Sequence, residues 1–225
     1  MARSRSGADL IDDAYGRADL VGATDRHSRA SVLRYVNQGC TELYDLLVEA
    51  RGRAYYRATP STITTVAGTT RYALPATFYR LISIRVSSTG GYCLNTFSPQ
   101  DEPVLREPSA TAPKPTHYEI QPGYVELLPA HSGGTAVIVD YVPVFVDLTD
   151  ASGSLFDGIN GWEQYVVYFA AREMLLKDGE KDDAAVQTAA MQALAKRIGM
   201  LAPQRDAFRA ERVKNVRGQG WRRWG

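Results

Sequence analysis

The chain is poor in the cysteine and histidine from which zinc and redox-metal sites are built, with two cysteines and three histidines in 225 residues. Cys40 and Cys93 sit in QGCTEL and GYCLNT, without a CxxC pair or an adjacent histidine, so zinc-type spacing is absent. Both are expected to be reduced, half-buried thiols. His27, His117 and His131 show no HxxxH or HxxE spacing and read as surface or strand histidines. The Gly-Gly pairs at 90–91 and 133–134 fall in expected β-turns and lack the helix and Lys-Ser/Thr of a phosphate loop. A GxSxG elbow is missing too, so nothing marks a nucleophilic serine. No cofactor and no metal is expected.

Long apolar runs are equally scarce. No stretch reaches the roughly 18 apolar residues of a membrane span. The opening MARSRSGADLIDD turns acidic where a signal peptide needs an apolar segment. The expectation is no membrane contact and synthesis in a cytoplasm. Net charge is only +1, which excludes a global field drawing the chain to nucleic acid.

The acidic doublets Asp12-Asp13, Asp101-Glu102 and Asp182-Asp183 offer the paired carboxylates that glycoside hydrolysis requires. Asp12-Asp13 and Asp182-Asp183 are better explained as acids early in helices, where they complement the helix dipole. Asp101-Glu102 falls in a loop. A cell-wall glycan hydrolase is the weakest of the functional alternatives.

Hydrophobic patterning divides the chain into three zones. Ala8, Ile11, Tyr15 and Ala18 recur at helical spacing, and Gly22 is expected to end that helix. A second helix is expected from about Ser28 to Arg51, with Leu33, Val36, Cys40, Leu43, Tyr44, Leu47 and Val48 on its apolar face. Gly39 inside it costs about 1 kcal/mol against alanine, which tertiary contacts must offset. From Ala54 to Asp150 the pattern turns to strands: STITTV, RYAL, YRLISIRV, YCLNTF, HYEIQPGYVELL and TAVIVDYVPVFV. Tyr118–Gln121 and Tyr124–Leu128 form a hairpin across Gln121-Pro122-Gly123, and TAVIVDYV reads as a central strand. Ser98–Thr116 reads as a long surface loop. Helix returns after Asn160, which with Glu163 makes a capping box, and Gly179 is placed to stop it. A last helix begins near Asp182, with Val186, Ala190, Leu194, Ile198 and Leu201 on one side.

None of these helices can hide its apolar stripe alone. The expected fold is α+β. Residues 1–53 and 158–202 form a helical bundle of both chain ends, and 54–157 form an inserted, mostly antiparallel β domain. The alternative stacks the helices on the sheet as two layers.

The strongest signal is the segment 203–225, an extended basic arm. It carries Arg205, Arg209, Arg212, Lys214, Arg217, Arg222 and Arg223 against Asp206 and Glu211, a local +5 that leaves −4 on the rest. Trp221 and Trp224 stand among its final five residues. Arginine and tryptophan are the types most enriched at interface hot spots. Such a segment cannot build a core, so a partner surface is expected to give it shape. Extended, it reaches about 75 Å. Docking to protein, binding of nucleic acid through phosphate contacts and base stacking, and a merely solubilising role remain the alternatives at this point.

In order, these segments resemble the head–tail connector (adaptor, or head-completion) proteins of tailed bacteriophages. DLIDDAYGRADL and SVLRYVNQGCTELYDLLVEARG resemble that family's opening helices. TTVAGTTRYALPATFYRLISIRV and HYEIQPGYVELLPAHSGGTAVIVDYV are similar to its β portion. FDGINGWEQYVVYFAAREMLLKD and DDAAVQTAAMQALAKRIG resemble its closing helix pair, so the likeness spans residues 7–201. It implies a virion protein at the head–tail junction, repeated as a ring of typically twelve copies beneath the portal protein. It further implies a tail or nozzle protein on the other side, genomic DNA passing through the lumen, and no required cofactor. By position, Arg205, Arg209, Arg212, Lys214, Arg217, Trp221, Arg222, Arg223 and Trp224 would be the residues that dock on the portal or a neighbouring subunit.

Overall fold

A computed structural model describes residues 4–22, 25–50, 55–87, 91–97, 100, 102–107, 111–159 and 161–201. The first helix, α1 (Gly7–Arg17), starts at a capping box. The Ser6 hydroxyl accepts the Asp9 N–H at 3.1 Å, and the Asp9 carboxylate accepts the Ser6 N–H at 3.3 Å. Leu10, Ile11, Ala14 and Tyr15 face inward. The helix stops earlier than Gly22 suggests. Asp19 adopts φ 56°, a left-handed conformation that aspartate tolerates, and turns the chain three residues before the glycine.

Helix α2 (Arg29–Ala50) buries Val32, Val36, Gly39, Cys40, Leu43, Tyr44, Leu47 and Val48, close to the expected face. Helix α4 (Gln164–Asp178) lies at the centre of the bundle, against α1, α2 and α5 (Lys181–Leu201). Gly39 is where α2 and α4 approach most closely. A Cβ placed there would stand 3.1 Å from Phe169 Cβ, so the absent side chain leaves room for the Phe169 ring. That contact is the tertiary compensation the interior glycine requires.

Both ends of α4 bear on the sequence reading. Gly179, at φ 86°, ends the helix as expected, with its N–H on the Leu176 carbonyl and that of Glu180 on Leu175. The start differs. Glu163 is itself the N-cap residue and makes no capping bond to the helix; its carboxylate accepts the Gly161 N–H at 2.7 Å. Asn160 lies outside the described residues.

Helix α5 is rotated from its expected orientation. Its buried residues are Ala184, Gln187, Met191 and Ile198, with Leu194 and Ala195 partly buried, while Val186 is 57% exposed. Alanines lie all around this helix, so apolar spacing alone supports two stripes. Gln187 decides between them, because it is buried and accepts the Arg17 Nε–H at 2.9 Å.

Between the helix pairs lie β sheets that are mostly antiparallel. In the first, β10 (Ala136–Pro143) is the central strand between β2 (Ser61–Thr64) and β4 (Phe78–Val86), with Val137 opposite both Ile63 and Val86. The second has the order β3 (Arg71–Ala73), β8 (Tyr124–Leu128), β7 (His117–Gln121), β5 (Asn95–Thr96). The β7–β8 hairpin turns at Gly123, φ 81°. Ile84, Val86, Val125, Leu127, Val137 and Val139 make a common core. Two pairings are parallel: β5 with β7, and the two-residue β6 (Thr111–Ala112) with β9 (Ala130–His131). The VFV after Pro143 is not strand.

The expected loop Ser98–Thr116 contains β6 and a short helical turn, α3 (Glu102–Leu105). The chain start pairs with the segment that leads back to the helices, β1 (Arg5–Ser6) antiparallel to β11 (Leu155–Phe156). Leu148 and Phe156 accordingly pack in the helical core. Helices and sheet meet at Tyr44, Val48 and Val142, where the Tyr44 hydroxyl donates to the Pro143 carbonyl at 2.8 Å.

Candidate functional site

Three of the six carboxylates that the sequence offers for catalysis are paired with arginines. Asp12 accepts from Arg29 at 2.5 Å, Asp13 pairs with Arg5, and Glu102 accepts from Arg106 at 2.7 Å. Asp182 and Asp183 are exposed in the first turn of α5, and Asp101 lies outside the described residues. The described members of the three doublets therefore sit on separate elements. Among the described residues no group of three or more His, Cys, Asp or Glu side chains is placed to hold a metal. Cys40 is buried in the helical core, which pushes its thiol well up, away from reactivity. Cys93, expected half-buried, is exposed.

His27 departs from its expected place at the surface. It is fully buried, with Nε2 2.9 Å from Asp178 at the end of α4. The partners are 151 positions apart, so no local spacing reveals the pair. His131 is also buried, within 3.2 Å of the Tyr72 hydroxyl, while His117 lies in a strand as expected.

Carboxylates instead act as clamps. Asp140 on β10 is 4% exposed, and it accepts from Ser83 at 3.0 Å, Arg85 at 3.3 Å and Arg57. Burial alone would raise its pKa, but these hydrogen bonds outweigh it and hold the group below the ordinary aspartate value. Glu126 on β8 takes both arms of the Arg106 guanidinium, at 2.6 and 2.9 Å, which fastens the 102–107 segment to the sheet and lowers the Glu126 pKa. Asp178 is lowered by its hydrogen bond from His27, and Asp150 by that from Arg29.

The sign of the resulting pH dependence is definite. Each of these carboxyls has a folded pKa below its unfolded value, so the stability it lends is complete above that unfolded value. It is lost as pH falls through the folded values. The unfolding midpoint is expected to be flat above about pH 5 and to drop steeply below about pH 4. Thermal melts in series from pH 7 to pH 2.5 check this; a protein equally stable at both ends contradicts it.

Outward-facing acids are arranged differently. Glu42, Asp45 and Glu49 follow one another along the exposed side of α2. The Tyr165 hydroxyl donates to Glu42 at 3.0 Å and the Tyr79 hydroxyl to Asp45 at 2.7 Å. Tyr165 is pushed up to about 12, first by burial and then by the Glu42 carboxylate. Beside this ridge an open groove of about 420 Å³ runs between α2 and α4, lined by Gln38, Thr41, Glu42, Phe169 and Glu173. Arg172 lies against it, its guanidinium 4.5 Å from the Phe169 ring centre and paired with Glu173. Periodicity identified α2 but gave no hint of this groove, which depends on the close approach of α4 at Gly39.

The arm residues Arg205, Arg209, Arg212, Lys214, Arg217, Trp221, Arg222, Arg223 and Trp224 lie outside the described residues. Among the described residues no helix is long and apolar enough to cross a membrane.

Helices from both chain ends packed together, with antiparallel-rich sheets inserted between them, place the protein in the α+β class. The family model described as SU10 adaptor protein matches residues 6–217, and the chain belongs to that family of phage head–tail adaptors. Comparison with curated proteins gives no match. The family match extends beyond the helical body into the basic segment. It takes in Arg205, Arg209, Arg212, Lys214 and Arg217, and it ends before Trp221, Arg222, Arg223 and Trp224.

Proposed function

We propose that this chain is the structural adaptor that joins a phage head to its tail. Copies stand side by side in a ring beneath the portal protein, the genome passes through the lumen, and no reaction is catalysed. The observation that carries this reading is the family match over residues 6–217. The charge division supports it, since an arm of +5 on a body of −4 is built to engage another surface. In this reading the helical body of residues 1–53 and 158–202 forms the ring wall. The β insertion of 54–157 faces outward or toward the tail protein, and the arm of 203–225 reaches the portal. Its tryptophans and arginines supply the flat apolar surface and the polar edges that anchor such contacts.

Mass measurement of the protein alone and after mixing with portal tests the reading. The expected result is a discrete complex with many copies of this chain per portal ring, twelve for a twelve-fold portal. A mixture in which the two never associate rules the adaptor role out. Tight binding of free DNA by the isolated protein, weakening steeply with salt, would favour a nucleic-acid module instead.

A further inference from the structure

A cyclic ring needs heterologous contacts, in which one patch of a subunit meets a different patch of the next. This chain carries two patches of opposite sign that suit that geometry. One is the groove between α2 and α4, with Phe169 in its lining and Glu42 and Glu173 at its walls. Its rim continues along α2 through Asp45 and Glu49. Neutral tyrosine hydroxyls hold Glu42 and Asp45 in place, and no Lys or Arg among the described residues pairs with Glu42, Asp45 or Glu49. Among the described residues, the ridge is thus oriented without being neutralised. The other patch is the segment of residues 203–225, with seven cations against two acids.

We infer that the groove between α2 and α4, with its rim of Glu42, Asp45 and Glu49, receives the basic terminal segment of a second copy of this chain. The groove already displays the chemistry, because Arg172 stacks on Phe169 and pairs with Glu173 there. Arginines from the neighbouring copy repeat that arrangement further along the ridge. The part of the segment up to residue 217, which the family match includes, lies on the neighbour; residues 218–225 remain for the portal. A span of about 75 Å when extended is long enough for both. The inference deepens the adaptor reading and rests on it for the side-by-side arrangement of copies.

The test uses the full-length chain and its self-association, read by sedimentation over a range of protein concentrations and at about 50 and 500 mM salt. Neutralising the ridge with E42Q/D45N/E49Q keeps an acceptor for both tyrosine hydroxyls. It should weaken self-association by about tenfold or more while leaving the melting temperature in place. Reversing it with D45K/E49K should abolish association at low salt. Adding R205E/R209E/R212E to that variant should restore it, since the charges are then exchanged. Any of three results overturns the inference: a wild type monomeric up to about 1 mM, ridge variants that associate like wild type, or no rescue by the exchange. Portal attachment separates this inference from the adaptor reading. If deletion of residues 218–225 loses the portal while D45K/E49K self-associates normally, the groove is wrong and the portal contact stands. If D45K/E49K loses self-association while deletion of residues 218–225 leaves portal attachment normal, the groove stands and the portal contact is wrong.

Discussion

Removing residues 203–225 is expected to leave a folded protein that no longer attaches to portal. Among the described residues every member of the helical core lies at or before Ile198, and the deletion leaves all of them in place. The melting temperature should therefore change by no more than a few degrees. Attachment is another matter. Hot-spot tryptophans and arginines each cost about 2 kcal/mol or more when truncated, and the segment holds two tryptophans and six arginines. Loss of even two such anchors weakens binding about a thousandfold. Co-sedimentation of portal with the truncated and full chains reads the difference. A shorter deletion, residues 218–225, separates the Trp-Arg-Arg-Trp ending from the part that the family match includes. Equal attachment by the truncated and full chains would move the portal contact to the body.

How much of this was legible in the sequence follows from where each signal resides. Helix α2 and the β7–β8 hairpin are written locally, in a 3.6-residue stripe and in Gln121-Pro122-Gly123, and both stand where they were expected. TAVIVDYV was legible as central because it leaves little polar face, and β10 is paired on both sides. The orientation of α5 was not legible, since its alanines support two stripes and only the Arg17–Gln187 contact, across 170 positions, selects one. Nor was the strapping of residues 102–107, because a Pro- and Glu-rich stretch gives no sign that Arg106 will find buried Glu126. The groove beside α2 was hidden for a related reason. Its lining joins residues from both ends of the chain, and only the small volume of Gly39 brings them together. The basic segment was the clearest functional signal in the sequence, and its chemistry is compositional; the residues that would receive it are set by the fold.

The largest stability effect is expected at the place where the two chain ends meet. Phe169 is 5% exposed on α4, packed against the backbone of Gly39 and under the Arg172 guanidinium. Phe169→Ala removes the whole ring from this junction and should cost about 3–5 kcal/mol, because the rigid helices collapse only partly into the space. Against a typical total of about 5–15 kcal/mol, that is a large fraction of what holds the N- and C-terminal helices together. For a chain of this size the loss corresponds to a fall of about 6–20 °C in melting temperature. Gly39→Ala alone should also destabilise. The new methyl would stand 3.1 to 3.3 Å from Phe169 Cβ, Cγ and Cδ1, and overpacking of about 1–3 kcal/mol outweighs a helix-propensity gain of about 1 kcal/mol. Combined, the two changes should cost less than their sum, since loss of the ring relieves the Cγ and Cδ1 contacts of the new methyl and leaves only the one with Cβ. Denaturant unfolding of the four proteins measures the coupling. Strictly additive costs would show that Gly39 is not there to admit Phe169, and would remove the stated reason for a glycine in the middle of α2.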